Sequence, residues 1–96
     1  MMQPGFLAAM KSECRTLSKS PLPGKVVPFG KGALLVLCGI GRKRATAGVE
    51  ALIKAGATAV ISWGFAAGLD RGIGPGTLVL PEAIVSRNGR VFTTDE

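Results

Sequence analysis

One carboxylate and two glycine turns are the parts of this 96-residue sequence best suited to chemistry. Gly39-Ile40-Gly41 leads directly into Arg42-Lys43-Arg44. Glycines let a backbone turn tightly and come close to a ligand, and the free N–H groups at a helix start attract an anion. Cations at that end of a helix oppose its dipole, at about 0.3–1 kcal/mol each. A bound phosphate reverses the sign of that cost. Arg42, directly against the turn, is assigned to such a ligand together with Gly41, and Lys43 and Arg44 are read as side chains directed into water. A turn with no ligand remains the other reading of the glycines. Gly64-Phe65-Ala66-Ala67-Gly68 is a turn of small residues around one large one. It either leaves room for a sugar or base against the backbone or serves close strand–helix packing. Glu13 follows a short apolar run. A carboxylate there could orient water, sugar hydroxyls or a cationic transition state, or could be a solvated charge.

The elements that must position these groups are legible in the apolar pattern. Ala33 to Cys38 is a continuous apolar run, too short for a helix and preceded and followed by glycine, as in a strand covered on both faces. From Ala45 the period changes. Ala45, Val49, Leu52 and Ile53 fall at helical spacing, and Gly56 ends the predicted helix. Ala57 to Trp63 returns to a buried strand, with Trp63 assigned to the core rather than to a stacking platform. This is a βαβ unit, with parallel strands and a right-handed crossover. Ligands bind such sheets beyond the carboxyl ends of the strands, where both glycine turns lie and are expected side by side. Gly5 to Met10 reads as a first strand, which puts Glu13 at the same edge, with Ser12 or Thr16 in turn or capping roles. Ser18 to Pro28 is a loop or irregular edge, with Val26–Phe29 pairing weakly. Later, Thr77 to Leu80 is predicted as a strand, and Ala83–Val85 and Val91–Thr93 flank an Asn88-Gly89 hairpin turn.

The fold class expected is therefore α/β, a mostly parallel sheet with a βαβ unit. At this length the chain is one domain at most, burying about 60–65% of its unfolded surface. Doubly wound sheets need helices on both faces, and one convincing long helix is present. Either a second chain covers the other face or the sheet is truncated, and truncation is the reading adopted.

Several functions are excluded or weakened. The dinucleotide fingerprint G-x-G-x-x-G fails because Arg44 stands at the third glycine position and no acidic residue ends the next strand. Cys14 and Cys38 have no metal or redox spacing, and no histidine is present for a triad or zinc site. The net charge of +6 is spread out, with one cluster at Arg42–Arg44 and no interleaved aromatics. An anionic small molecule explains that placement better than nucleic acid. No apolar run approaches the roughly 20 residues of a membrane span, and Gly5–Met10 lacks the basic segment of a signal peptide. The compartment expected is the cytoplasm.

Leu7-Ala8-Ala9-Met10-Lys11-Ser12-Glu13, Cys38-Gly39-Ile40-Gly41 and Trp63-Gly64-Phe65-Ala66-Ala67-Gly68-Leu69, in that order and spacing, resemble the purine nucleoside phosphorylase and methylthioadenosine/adenosylhomocysteine nucleosidase superfamily. Ser62-Trp63-Gly64 and Pro75 to Pro81 are most similar to its hopanoid-associated phosphorylases. The resemblance runs from Gly5 to about Val85. It implies a partial phosphorylase/hydrolase-like fold and cleavage of the N-glycosidic bond of a purine nucleoside by phosphate or by water. Adenosylhopane is the substrate implied by the sub-branch. It implies no metal and no cofactor, with phosphate as co-substrate in the phosphorylases, and a homo-oligomer. Carried over by motif, Glu13 positions the attacking water, Gly41 and Arg42 hold phosphate, and Phe65, Ala66 and Ala67 line the sugar and base pocket. Three positions depart from the pattern: Phe65 where serine or threonine is common, Ala67 for glycine, and Cys38 for serine. The resembled domain is more than twice as long. Its later half supplies the purine contacts, a Met-Glu pair for the ribose hydroxyls and the aspartate that protonates the base. Residues 1–96 are accordingly expected to be the N-terminal part of a single domain and to show no turnover alone. The competing class is a non-catalytic α/β module that binds a phosphorylated small molecule or a partner subunit.

Overall fold

A computed structural model describes residues 2–18 and 22–94. The chain divides into two compact units, Met1–Ala66 and Ala67–Glu96. The first contains β1 (Pro4–Ala8), α1 (Lys11–Cys14), β2 (Val26–Phe29), β3 (Ala33–Leu37), α2 (Arg42–Lys54) and β4 (Ala59–Trp63). Its sheet has the order β2-β3-β1-β4. Strand β1 is parallel to both β3 and β4, and β2 runs antiparallel to β3 with Val27 opposite Leu35. The fold is α/β with a mixed, mostly parallel sheet. The two strands of the βαβ unit are parallel but not neighbours, because β1 lies between them. Helix α2 has 13 residues and spans about 20 Å. That is ample to carry the chain across two strand spacings of about 10 Å in all.

Strand β3 explains its own composition. Leu35 and Leu37 join Ala8 and Cys14 on the α1 face, with Phe6, Val27 and Phe29 packed against them. Leu34 and Val36 join Leu52 of α2 on the opposite face. Successive side chains alternate between faces, so a strand covered on both must be apolar throughout. Strand β4 has a similar composition but a different position. It forms the sheet edge, and Ala59 to Ser62 are exposed, contrary to the buried strand expected. Helix α2 packs on β1 and β3, which leaves β4 without that cover.

Helix α2 begins at Arg42, three residues before the apolar period starts. Gly41 is its N-cap at φ 104°, a conformation that favours glycine. The first turn is therefore built from Arg42, Lys43 and Arg44, which carry no apolar signal. Gly48 and Leu52 form the buried stripe, and Ile53, expected inside, is 58% exposed. Gly48 permits the close approach to the sheet. A Cβ there would lie 2.6 Å from Leu7 Cδ1 and 2.7 Å from Cys38 Cβ. Alanine in place of a mid-helix glycine ordinarily adds about 1 kcal/mol, but overpacking costs about 1–3 kcal/mol. Gly48→Ala is expected to lower the urea midpoint with the slope unchanged. A raised midpoint would mean that the helix is free to lift off the sheet.

In the second unit, β5 (Ala83–Val85) and β6 (Val91–Thr93) form an antiparallel hairpin with Ile84 opposite Phe92. The chain reverses between Ser86 and Arg90, whose backbones are bonded at 2.8 Å, and Gly89 takes φ 84°. Asn88-Gly89 thus marks the turn as its residue types predict. Thr77–Leu80 is not a strand. Thr77 folds back onto the Gly74 carbonyl, with its hydroxyl donating at 2.7 Å, and Leu80 is 92% exposed. An apolar run without a ladder partner does not stay extended as sheet. Among the described residues, no helix is long and apolar enough to cross a membrane.

Candidate functional site

Because β1, β3 and β4 are parallel, their carboxyl ends reach one edge of the first unit. Strand β1 passes through Ala9 and Met10 into α1. Met10 is the N-cap, with extended backbone, and its N–H donates to Glu13 Oε1 at 3.2 Å. An acidic side chain three residues into a helix commonly reaches back in this way. The other oxygen, Oε2, accepts the Phe65 N–H at 2.8 Å. Glu13 is 6% exposed, and each carboxylate oxygen meets an amide from a different strand end. A buried carboxylate is tolerable only when hydrogen-bonded in this manner.

Gly64 stands against that carboxylate, and a Cβ on it would overlap Glu13 Oε2. The room left by this glycine is taken by the protein's own side chain. Neither sequence reading of the turn, ligand space or strand–helix packing, identifies that use. Trp63 half-buries its ring edge-on to Phe6, with centroids 6.3 Å apart. Its indole N–H donates to Thr16 Oγ1 at 2.7 Å.

A cleft of about 430 Å³ opens at this edge, within the range of small-molecule sites. Glu13, Gly41, Arg42, Trp63 and Phe65 all line it. Gly39 and Gly41 of the first turn and Gly64 of the second therefore face one hollow, with the end of β1 between them. Ala66 does not line the cleft, and Ala67 opens the second unit, where it is exposed. At Gly41 nothing lies within 4 Å of where a Cβ would be, so the backbone there is open to a ligand. Gly39, at φ 95°, is covered instead by the Arg44 side chain. Arg44 is thus not simply directed into water. The cleft carries a cation from α2 and a carboxylate from α1, an arrangement suited to an anionic reactant beside a developing positive charge. Sequence reasoning missed Thr16 as a partner of Trp63 and Trp63 as a wall of the cleft. The Met10–Glu13 spacing was the available signal for the N-cap contact.

The model of the Phosphorylase superfamily matches residues 5–95. The chain belongs to the Phosphorylase superfamily. The match includes Glu13, the Gly39–Arg42 turn, the Phe65 loop and the β5–β6 hairpin. No curated protein and no solved structure matches the chain.

In this member of the Phosphorylase superfamily, Cys38 also lines the cleft, its Sγ–H donating to the Gly39 carbonyl at 3.2 Å. Burial pushes its thiol above the ordinary range, and the nearby Glu13 carboxylate adds to the rise against an opposing backbone hydrogen bond. Burial raises the Cys14 thiol as well. The fold thus favours the protonated forms. Their contribution to stability is complete below the ordinary thiol value, near pH 8.5, and is lost as pH rises through the elevated values. At pH 8 both thiols are expected to react with iodoacetamide more slowly than in the urea-unfolded chain, as followed by mass spectrometry. Equal rates would contradict the burial.

Proposed function

We propose that this cleft holds the ribose of a purine nucleoside, with phosphate beside it, for cleavage of the N-glycosidic bond. The observation that supports the reading is that Glu13, Arg42 and Phe65, from three different strand ends, line one hollow. Departure of the base leaves a ribosyl cation-like transition state, so the task is to stabilise positive charge and place the nucleophile. Each Glu13 oxygen accepts one amide N–H and keeps a further lone pair for water or a ribose hydroxyl. The Gly41 turn and the Arg42 guanidinium supply donors for phosphate. Phe65, 63% exposed, offers an apolar surface to the sugar or base. An apolar substituent on the nucleoside, as in adenosylhopane, suits that surface better than the hydroxyl common at this position in the resembled family. The enzyme on this reading is cytoplasmic and acts as a homo-oligomer.

Among the described residues of the first unit, Glu13 is the one carboxylate that lines the cleft. It is committed to the sugar side, and no second acid there protonates the departing base. Residues 1–96 are therefore expected to bind adenosine without releasing adenine. Two measurements test this: amide shifts during titration with adenosine and with inorganic phosphate, and chromatography for adenine with and without phosphate. Shifts confined to Gly39–Arg42 and Phe65 support the reading. Silence at those amides with both ligands overturns it, and rapid adenine release overturns the assignment of an incomplete acid–base set.

A further inference from the structure

Trp63 and Phe65 leave the end of β4 two residues apart, and each is tied to the α1 segment by its own hydrogen bond. The Phe65 N–H donates to Glu13 Oε2 at 2.8 Å, and the Trp63 indole N–H donates to Thr16 Oγ1 at 2.7 Å. Thr16 continues the connection, its hydroxyl donating to the Glu13 backbone carbonyl at 2.7 Å. The four residues close a ring in which β4 grips Glu13 by side chain and main chain at once.

We propose that Thr16 is a positioning residue of the cleft: by joining the Trp63 indole to the Glu13 carbonyl, it holds the α1 turn so that the Glu13 carboxylate stays under Phe65 and faces the ligand. The reading of the cleft as a nucleoside site enters only in naming what Glu13 is positioned for. Helix α1 has four residues, a single turn, and one turn in isolation does not hold its shape. Its orientation must come from outside. The Trp63 ring supplies a fixed point, since it packs edge-on to Phe6, which packs edge-on to Phe29 at 5.3 Å. A hydroxyl can accept and donate together, and Thr16 uses both capacities. Thr16 does not line the cleft, so it acts through Glu13 and not on the ligand. A displacement of about 1 Å at a reacting group can cost on the order of 10²-fold in rate.

The chain has one tryptophan, so one indole N–H resonance reports the tether directly. In the 96-residue chain, Thr16→Val is expected to speed exchange of that indole proton. It should also move the Phe65 amide resonance away from its carboxylate-bonded position, with exchange about tenfold faster. Thr16→Ser restores both signals, and Trp63→Phe reproduces the Phe65 change with Thr16 intact. A Phe65 amide that stays in place while the indole is released overturns the proposal, since Thr16 then secures Trp63 alone. Failure of serine to rescue overturns it too, by assigning the effect to the threonine methyl. Should Thr16→Val not fold, Trp63→Phe carries the same comparison. Adenosine titration separates the two readings. About tenfold weaker binding in Thr16→Val than in the unmodified chain supports the positioning role, and unchanged binding overturns it. Absence of binding to the unmodified chain refutes the nucleoside reading and leaves the amide and indole results to decide the ring.

Discussion

Gly64→Ala is expected to weaken adenosine binding at least tenfold and to destabilise the first unit by about 2–3 kcal/mol. The backbone at Gly64 is not in the left-handed region, so alanine meets no conformational penalty there. Its cost is purely one of space. The added methyl overlaps Glu13 Oε2 and lies 3.0 Å from the carboxylate carbon. Glu13 must swing away, and in doing so it gives up the Phe65 N–H and leaves a buried charge with one partner. Urea titration and calorimetry with adenosine measure the two effects. A double-mutant cycle identifies their cause. With Glu13→Ala already in place there is no carboxylate to displace, so adding Gly64→Ala should change little. Additive losses would mean that the glycine matters for some other contact.

The second large effect is expected at Glu13 itself. Glu13→Gln keeps the shape and replaces one acceptor oxygen by an NH2 group. Two amide donors then converge on a side chain with a single acceptor, and either Met10 or Phe65 faces a donor. Hydrogen bonds to charged groups contribute about 1.5–3 kcal/mol, so a stability loss in that range is expected, with adenosine affinity down by about tenfold or more. Phe65 should show the larger amide shift, because its bond at 2.8 Å is shorter than the 3.2 Å bond of Met10. If Glu13→Gln binds adenosine as tightly as the unmodified chain, the carboxylate has no part in the cleft.

Much of this site was legible in the sequence, and the exceptions have identifiable causes. The Ala33–Cys38 run announced a strand, seen as β3 over Ala33–Leu37, because both its faces are covered. The same argument misplaced β4, since apolar composition reports what a strand can tolerate and not whether anything packs on it. The start of α2 was marked by the Gly39-Ile40-Gly41 turn and not by an apolar period, to which Arg42, Lys43 and Arg44 contribute nothing. That Glu13 stands at a strand end followed from local order along the chain. Its bond to Phe65 spans 52 positions and depends on β1 lying beside β4. No spacing rule reaches that far. The purpose of Gly64 was invisible for the same reason, as the group it accommodates comes from another element.

The strand order also constrains how the chain can be made. Strand β1 is synthesised first yet occupies an interior place in the sheet, and β4 follows some 50 residues later. At 5–20 residues per second, the ribosome takes roughly 3–10 seconds to deliver the second neighbour. During that interval the nascent segment has an unpaired apolar border, the state that chaperones recognise. Glu13 emerges in the same early stretch, and its buried setting is complete only when Phe65 arrives. Assembly of the cleft therefore waits for the end of β4, the last strand of the first unit to be made.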